Sequence, residues 1–328
     1  PPNDAATTDA ATKDAAQQGP DAAVVYAKAW AFGDDATRLY FDGTTWSVDQ
    51  AATTSDAGGG ASVNLTGAWA SADQLWIVGT QWTVQRFKNG AWEDLPSTKG
   101  VGIAADASAG FDSGNMSAVW GTGDSDVWVL ETNALPGNDS FLHWDGSQWT
   151  RSSDTGADLS SMNGTSNSDV WAAGNGGPTS SIVIFHDDGS HWTKQTAPSD
   201  MTAGFPALLA LAPDDVYLGA AAHLWHWNGA TWTSAAFQSV TSFFGTSADL
   251  WAATPSSTIH FDGTKWTPAA TDVTASALAV GGVSTKDMWA VGKNGDAAHF
   301  DGAAWTAFTS GTANTLHVVI GVANGLGK

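Results

Sequence analysis

The sequence predicts an all-β chain folded as a single seven-bladed β-propeller, with a C-terminal strand completing the first blade and closing the ring. Three observations carry this. A turn of the type H-F-D-G-x-x-W recurs seven times, ending at Trp46, Trp92, Trp149, Trp192, Trp232, Trp266 and Trp305. Each copy follows a strand-like D-V-W-A-x-G segment, centred on Trp30, Trp76, Trp128, Trp171, Tyr217, Trp251 and Trp289. The period is roughly 40 residues, room for about four short strands, which is the size of a propeller blade.

Residues 1–21 carry Ala, Asp, Thr, Gln and Pro without apolar periodicity and read as a disordered spacer. The propeller is expected to occupy 22–328. Such spacers commonly follow a removed export signal or a lipid-anchored cysteine. The expectation is therefore an exported protein, extracellular or at the cell surface, anchored through a segment upstream of Pro1.

Each blade reads as strand A, tight turn, strand B, loop, strand C, tight turn, strand D. In the second blade these fall at 64–70, 75–79, 83–87 and 92–95. An Asp stands just before strand B at Asp73, Asp126, Asp169, Asp215, Asp249 and Asp287. The C–D turn carries Asp-Gly or Asn-Gly, from Asp42-Gly43 to Asp301-Gly302, dipeptides that tolerate the positive φ of tight hairpins. The first blade has no strand A ahead of Trp30. The segment 316–320 resembles a strand A and supplies it, so that no terminal blade is left with an unpaired edge.

Extra residues fall between strand D and the next strand A (49–62, 96–115) or between strands B and C (132–139, 175–180). Strands alternate direction, so both kinds of connection emerge on one face of the ring. Variable loops on a rigid face are where binding sites are built. This long-loop face is the expected ligand face.

Composition narrows the partners. Thirty-three acidic residues against 12 basic give a formal charge of −21, a field that repels phosphate backbones and anionic lipid. Nucleic acid is not expected as a partner. Only Glu93 and Glu131 are glutamates; the other acids are Asp, a turn residue that bonds back to its own backbone. There is no cysteine, hence neither a disulfide nor a thiolate metal site. No run approaches the roughly 18 apolar residues of a membrane span.

The 19 Trp residues invite a carbohydrate reading, but most repeat at fixed blade positions on strands B, C and D and belong to the core. Trp69, Trp82, Trp120 and Trp225 break the pattern. Trp82 sits where the second blade's B–C loop meets strand C and is the proposed ligand-stacking surface. The polar candidates beside it on the long-loop face are Asp106, Asp112, Asn115, Asn138, Asp139 and Asn175. No cofactor is expected, although loop carboxylates and amides are the oxygen donors Ca²⁺ would use. No residues are assigned to a metal. Strand C repeats a histidine at His143, His186, His226, His260 and His299; equivalent positions on separate blades lie too far apart for one ion. A hydrogen bond inside each blade, to the Asp before strand B or to a Trp N–H, is expected instead. His186 and His191 flank Asp187 and Asp188, a weak metal-like cluster.

That cluster lies in a segment similar to the Asp box of BNR-type propellers. Asp187-Asp188-Gly189-Ser190-His191-Trp192 matches D-x-G-x-x-W, with Phe185 in place of the usual leading Ser. The whole repeat resembles those of secreted or lipid-anchored bacterial propellers. The resemblance implies the fold over about 22–328, and it implies a structural turn rather than catalytic residues. Sialidases within that class need an arginine triad and a Tyr/Glu pair. This chain has only Arg38, Arg86 and Arg151, none in such a motif. The chain is therefore read as non-catalytic: a binding module with lectin-like carbohydrate recognition, or alternatively a surface scaffold for a protein partner. A glycoside-acting enzyme is the third reading.

Overall fold

The computed structural model describes residues 26–49, 62–96, 114–132, 139–152, 155–176, 181–202, 204, 206–269, 277–322 and 326. They form seven four-stranded antiparallel sheets, the blades of a seven-bladed propeller with almost no helix. The expected spacer at 1–21 lies outside the described residues.

The first blade is built in the order Leu316–Gly321, Ala29–Gly33, Arg38–Phe41, Trp46–Val48, so the C-terminal strand is its strand A. The seam is fastened beyond its ladder. His317 Nε2 lies 2.7 Å from Asp34 Oδ1, Asn314 Nδ2 donates to Thr37 Oγ1 (2.9 Å), and Trp30 Nε1 donates to the Leu326 carbonyl (3.0 Å). Blades two to seven each run A-B-C-D in chain order.

Strand B is the apolar run of each repeat because both of its faces meet neighbouring blades. Gln74–Gly79 and Ala29–Gly33 are buried at every residue. The blades are locked together by tryptophan. In six of the seven seams the strand-B Trp of one blade meets the strand-D Trp of the next edge to face. These pairs are Trp30–Trp92, Trp76–Trp149, Trp128–Trp192, Trp171–Trp232, Trp251–Trp305 and Trp289–Trp46, with ring centroids 4.8–6.4 Å apart. Such pairs add about 0.5–1.5 kcal/mol each beyond the area they bury. The seam between blades five and six differs: Tyr217 replaces the Trp and packs at 6.4 Å on Phe243.

The C–D turns put part of the Asp-rich composition to use. Asp42, Asp145, Asp188, Asp262 and Asp301 each accept, through Oδ1, the backbone N–H groups two and three residues ahead; Asn228 does the same. The following glycines have φ between +85° and +105°. A Cβ there would also press on the A–B turn of the same blade, as at Gly146, 2.8 Å from Ser125 Cβ. In blade two, Asn89 and Gly90 make a shorter turn with φ of +52° and +80°.

Candidate binding surfaces

The structure revises the role of Trp82. Its side chain is 3% exposed and joins the core with Trp76, Met116 and Val119. The cause is local: Gln81 and Trp82 have φ of +59° and +60°, a turn conformation that costs a bulky residue free energy. That backbone rolls the indole inward over Gly114, where a Cβ would lie 2.3 Å from Trp82 Cζ2. A ring buried there offers no face to a ligand.

The described polar candidates are engaged in the same way. Asn115 Oδ1 accepts from Gln81 N–H at 3.3 Å, Asp139 Oδ2 from Leu159 N–H at 2.6 Å, and Asn175 Oδ1 from Gly204 N–H at 3.3 Å. Each bond ties a B–C connection to the segment leading into the next blade. The first blade repeats the device: Asp35 N–H donates to Asn64 Oδ1, and Ala36 N–H to the Val63 carbonyl. Asp139 is buried and structural, whereas Asn115 is exposed and Asn64 and Asn175 are partly buried, and all four tie the long-loop face together through backbone donors. Asp106, Asp112 and Asn138 lie outside the described residues.

The strand-C histidines also serve the fold. His143, His186, His226, His260 and His299 place Nε2 2.7–2.8 Å from Oδ1 of Asp126, Asp169, Asp215, Asp249 and Asp287. An ionised carboxylate only accepts, so Nε2 carries the proton. In each of these blades the imidazole packs on the strand-B aromatic directly opposite it, as His143 does on Trp128 at 4.3 Å. These Asp residues open strand B rather than precede it. Blade two departs from the expected pattern. The register puts Gln74, not Asp73, in the Asp place and Arg86 in the His place, where the guanidinium stacks over Trp76 at 5.6 Å.

Two carboxylates show what burial does. Burial raises the Asp169 pKa, but hydrogen bonds from His186, Thr165 and Trp171 outweigh it and leave the pKa lowered. Asp187 stands where Phe41, Phe87, Trp144, Trp227, Phe261 and Phe300 stand in the other blades. It is 4% exposed, and burial pushes its pKa up, with the adjacent Asp188 adding to the effect. No metal-holding group of three His, Cys, Asp or Glu occurs among the described residues.

The pairing of the rarest charges escaped the sequence reading. Both glutamates meet arginines: Arg86 Nη2 to Glu93 Oε2 at 2.7 Å, and Arg151 Nε to Glu131 Oε2 at 2.8 Å, where Ser140 also donates. Arg38 is 1% exposed, lies over the Trp92 ring at 4.4 Å and donates to Gln85. Rarity was the available signal, since two glutamates and three arginines in 328 residues are exceptions to the repeat.

At the centre, the inner strands enclose a channel of about 590 Å³ whose lining includes Trp69, Asn163, Phe243, Phe244 and His317. Polar side chains link neighbouring inner strands around it. Thr66 Oγ1 donates to the Met116 carbonyl (2.7 Å), and Asn163 Oδ1 accepts Ala210 N–H (2.9 Å).

No protein-family model matches the chain, and no curated protein matches it. Solved structures share its fold. A structure described as YCF48 bound to D1 peptide superposes with a TM-score of 0.62 at 12% identity, covering 84% of this chain and 90% of the other. YCF48 from Cyanidioschyzon merolae gives 0.55 at 14% identity, covering 76% and 86%. PorZ, an essential bacterial surface component of the type-IX secretion system of Porphyromonas gingivalis, gives 0.54 at 19% identity, covering 84% of this chain and 43% of PorZ. At these identities the likeness is one of fold, and the chain is similar to all three as a β-propeller.

Proposed function

We propose that this chain is a non-catalytic binding propeller that works outside the cell or at its surface. The observation that carries the reading is the commitment of its chemistry to structure. The same Asp–His pair recurs in five blades, and the same Asp or Asn turn caps six, so groups that could act as acids, bases or ligands are used to hold the ring. What such a ring offers is a rigid platform. The Asp188 turn, with its two backbone N–H bonds, supports kinship with Asp-box propellers, in which that turn is structural.

Glycan is the first ligand class, and a protein partner is the second reading. The second is favoured by the charge of −21, which suits a basic partner, and by the peptide-bound propeller of the same fold. The test is a glycan array with Ca²⁺ and again with chelator, followed by a product assay on every glycan bound. The reading expects retention of glycan, or capture of a defined basic protein, with no product formed. Turnover abolished by changing a single Asp would overturn it.

A further inference from the structure

The seam between blades six and seven opens on the short-turn face into a cavity of about 540 Å³. Trp305, half-buried, forms one wall, with Trp251 and Phe300 beneath it, and His260 and Lys286 at the rim. At this cavity blade seven differs from most of the other blades. Its C–D turn runs Gly302-Ala303-Ala304-Trp305, while the residue before the Trp is Thr45, Gln148, His191, Thr231 or Lys265 in five other blades. Its A–B turn carries Lys286 where blades three and four have Ser125 and Ser168.

The polar groups at the rim define the ligand. His260 Nε2 is spent on Asp249 (2.7 Å), which leaves Nδ1 as an acceptor that makes no hydrogen bond among the described residues. Lys286 Nζ lies 3.4 Å from Asp249 Oδ2, which engages one of its three N–H donors. The cavity thus sets an aromatic wall beside one acceptor and a largely exposed cation. A cationic ligand meets Lys286, and a free anion meets the field of a chain of charge −21. A neutral ring bearing hydroxyls matches all three features: its C–H face lies on the indole, and hydroxyl groups both donate to Nδ1 and accept from Nζ. An apolar aromatic side chain would fill the slot but leave both polar groups unanswered.

We propose that this cavity is a saccharide site that takes a neutral pyranose ring, with Trp305 as the stacking surface and Lys286 and His260 as its polar contacts. The proposal rests on the binding-propeller reading and moves the ligand from the long-loop face to the opposite one.

The experiment is saturation-transfer-difference NMR on the full chain with methyl glycosides of glucose, galactose, mannose, fucose and N-acetylglucosamine, and with p-cresol as an apolar ring. Two variants run alongside: Ala304→Gln, which copies Gln148 of blade three, and Lys286→Ser, which copies Ser125. The expected result is transfer to the ring C–H protons of at least one glycoside. Affinity should fall about tenfold or more in Ala304→Gln and less in Lys286→Ser, with melting temperatures unchanged. Transfer to p-cresol alone would overturn the proposal in favour of a partner's aromatic side chain. Glycoside binding unaffected by Ala304→Gln would overturn the site while leaving the binding-propeller reading in place. Silence from every probe would overturn the site too, and capture of a protein partner would still separate that outcome from failure of the broader reading.

Discussion

At the residue scale, function and fold compete for the same side chains, and burial decides between them. The Asp169 side chain is far less exposed than that of Asp215 (4% against 18%), so losing a histidine partner costs the two sites differently. His186→Phe is expected to destabilise by about 1–3 kcal/mol, the cost of a buried acceptor losing a donor, and His226→Phe by less. Urea unfolding of the two variants measures this, and equal losses would contradict it. The turn carboxylates give a pH signature. Hydrogen bonds from the Thr264 hydroxyl and from the Lys265 and Thr264 backbone amides hold Asp262 at a pKa of about 2. The Gln148 backbone amide and both donors of Ser147 do the same for Asp145. Folded pKa values held below the ordinary carboxylate range mean stability that is present above that range and lost as pH falls toward about 2. Asp262→Asn should therefore keep neutral-pH stability, because Asn228 makes the same two bonds, and should flatten the acid limb of the melting curve. An acid limb as steep as that of the parent chain would refute the assignment.

At the element scale, the strands were legible because the repeat states them seven times. The second blade's strands, expected at 64–70, 75–79, 83–87 and 92–95, are found at Leu65–Ala70, Gln74–Gly79, Thr83–Lys88 and Ala91–Asp94. Strand-C histidines were read as bonding within the blade, and they do. The long-loop candidates were not legible, for two physical reasons. A sequence does not reveal that Gln81 and Trp82 share a positive-φ turn, because neither residue favours one. Nor does it separate an Asn that binds a ligand from one that caps a backbone N–H, since both are exposed-looking polar residues in loops. Departures from a repeat carried more information than the repeat itself: Gln74 with Arg86, Asp187, and Ala303-Ala304 with Lys286 are all local exceptions. One exception weakens a seam. Between blades five and six no Trp pair forms, because Tyr217 stands where a strand-B Trp would meet strand D of blade six, Trp266–Ala269. Hydrogen exchange should reach Ser242–Thr246 and Trp266–Ala269 before the inner and outer strands of the other seams. Uniform protection around the ring would show that the Trp pairs do not set local stability.

At the scale of the whole molecule, the ring is held by one seam made from the two ends of the described chain. Deleting 316–328 removes an inner strand, the His317–Asp34 contact and the carbonyl that accepts from Trp30. The deletion should lower the melting temperature by well over 10 °C, since several buried contacts of about 1–3 kcal/mol each are lost together. A melting temperature within a few degrees of the parent would contradict the closure. A closed ring also frames how the chain would divide its labour: positions that repeat build the ring, and under the proposal the departures at Ala304 and Lys286 make room to bind. That division is the central claim, and one paired measurement tests it most directly: glycoside binding and melting temperature recorded side by side for His186→Phe and Ala304→Gln. The account predicts a lower melting temperature with intact affinity for the first, and lost affinity with an intact melting temperature for the second. Loss of binding in His186→Phe at an unchanged melting temperature would contradict it.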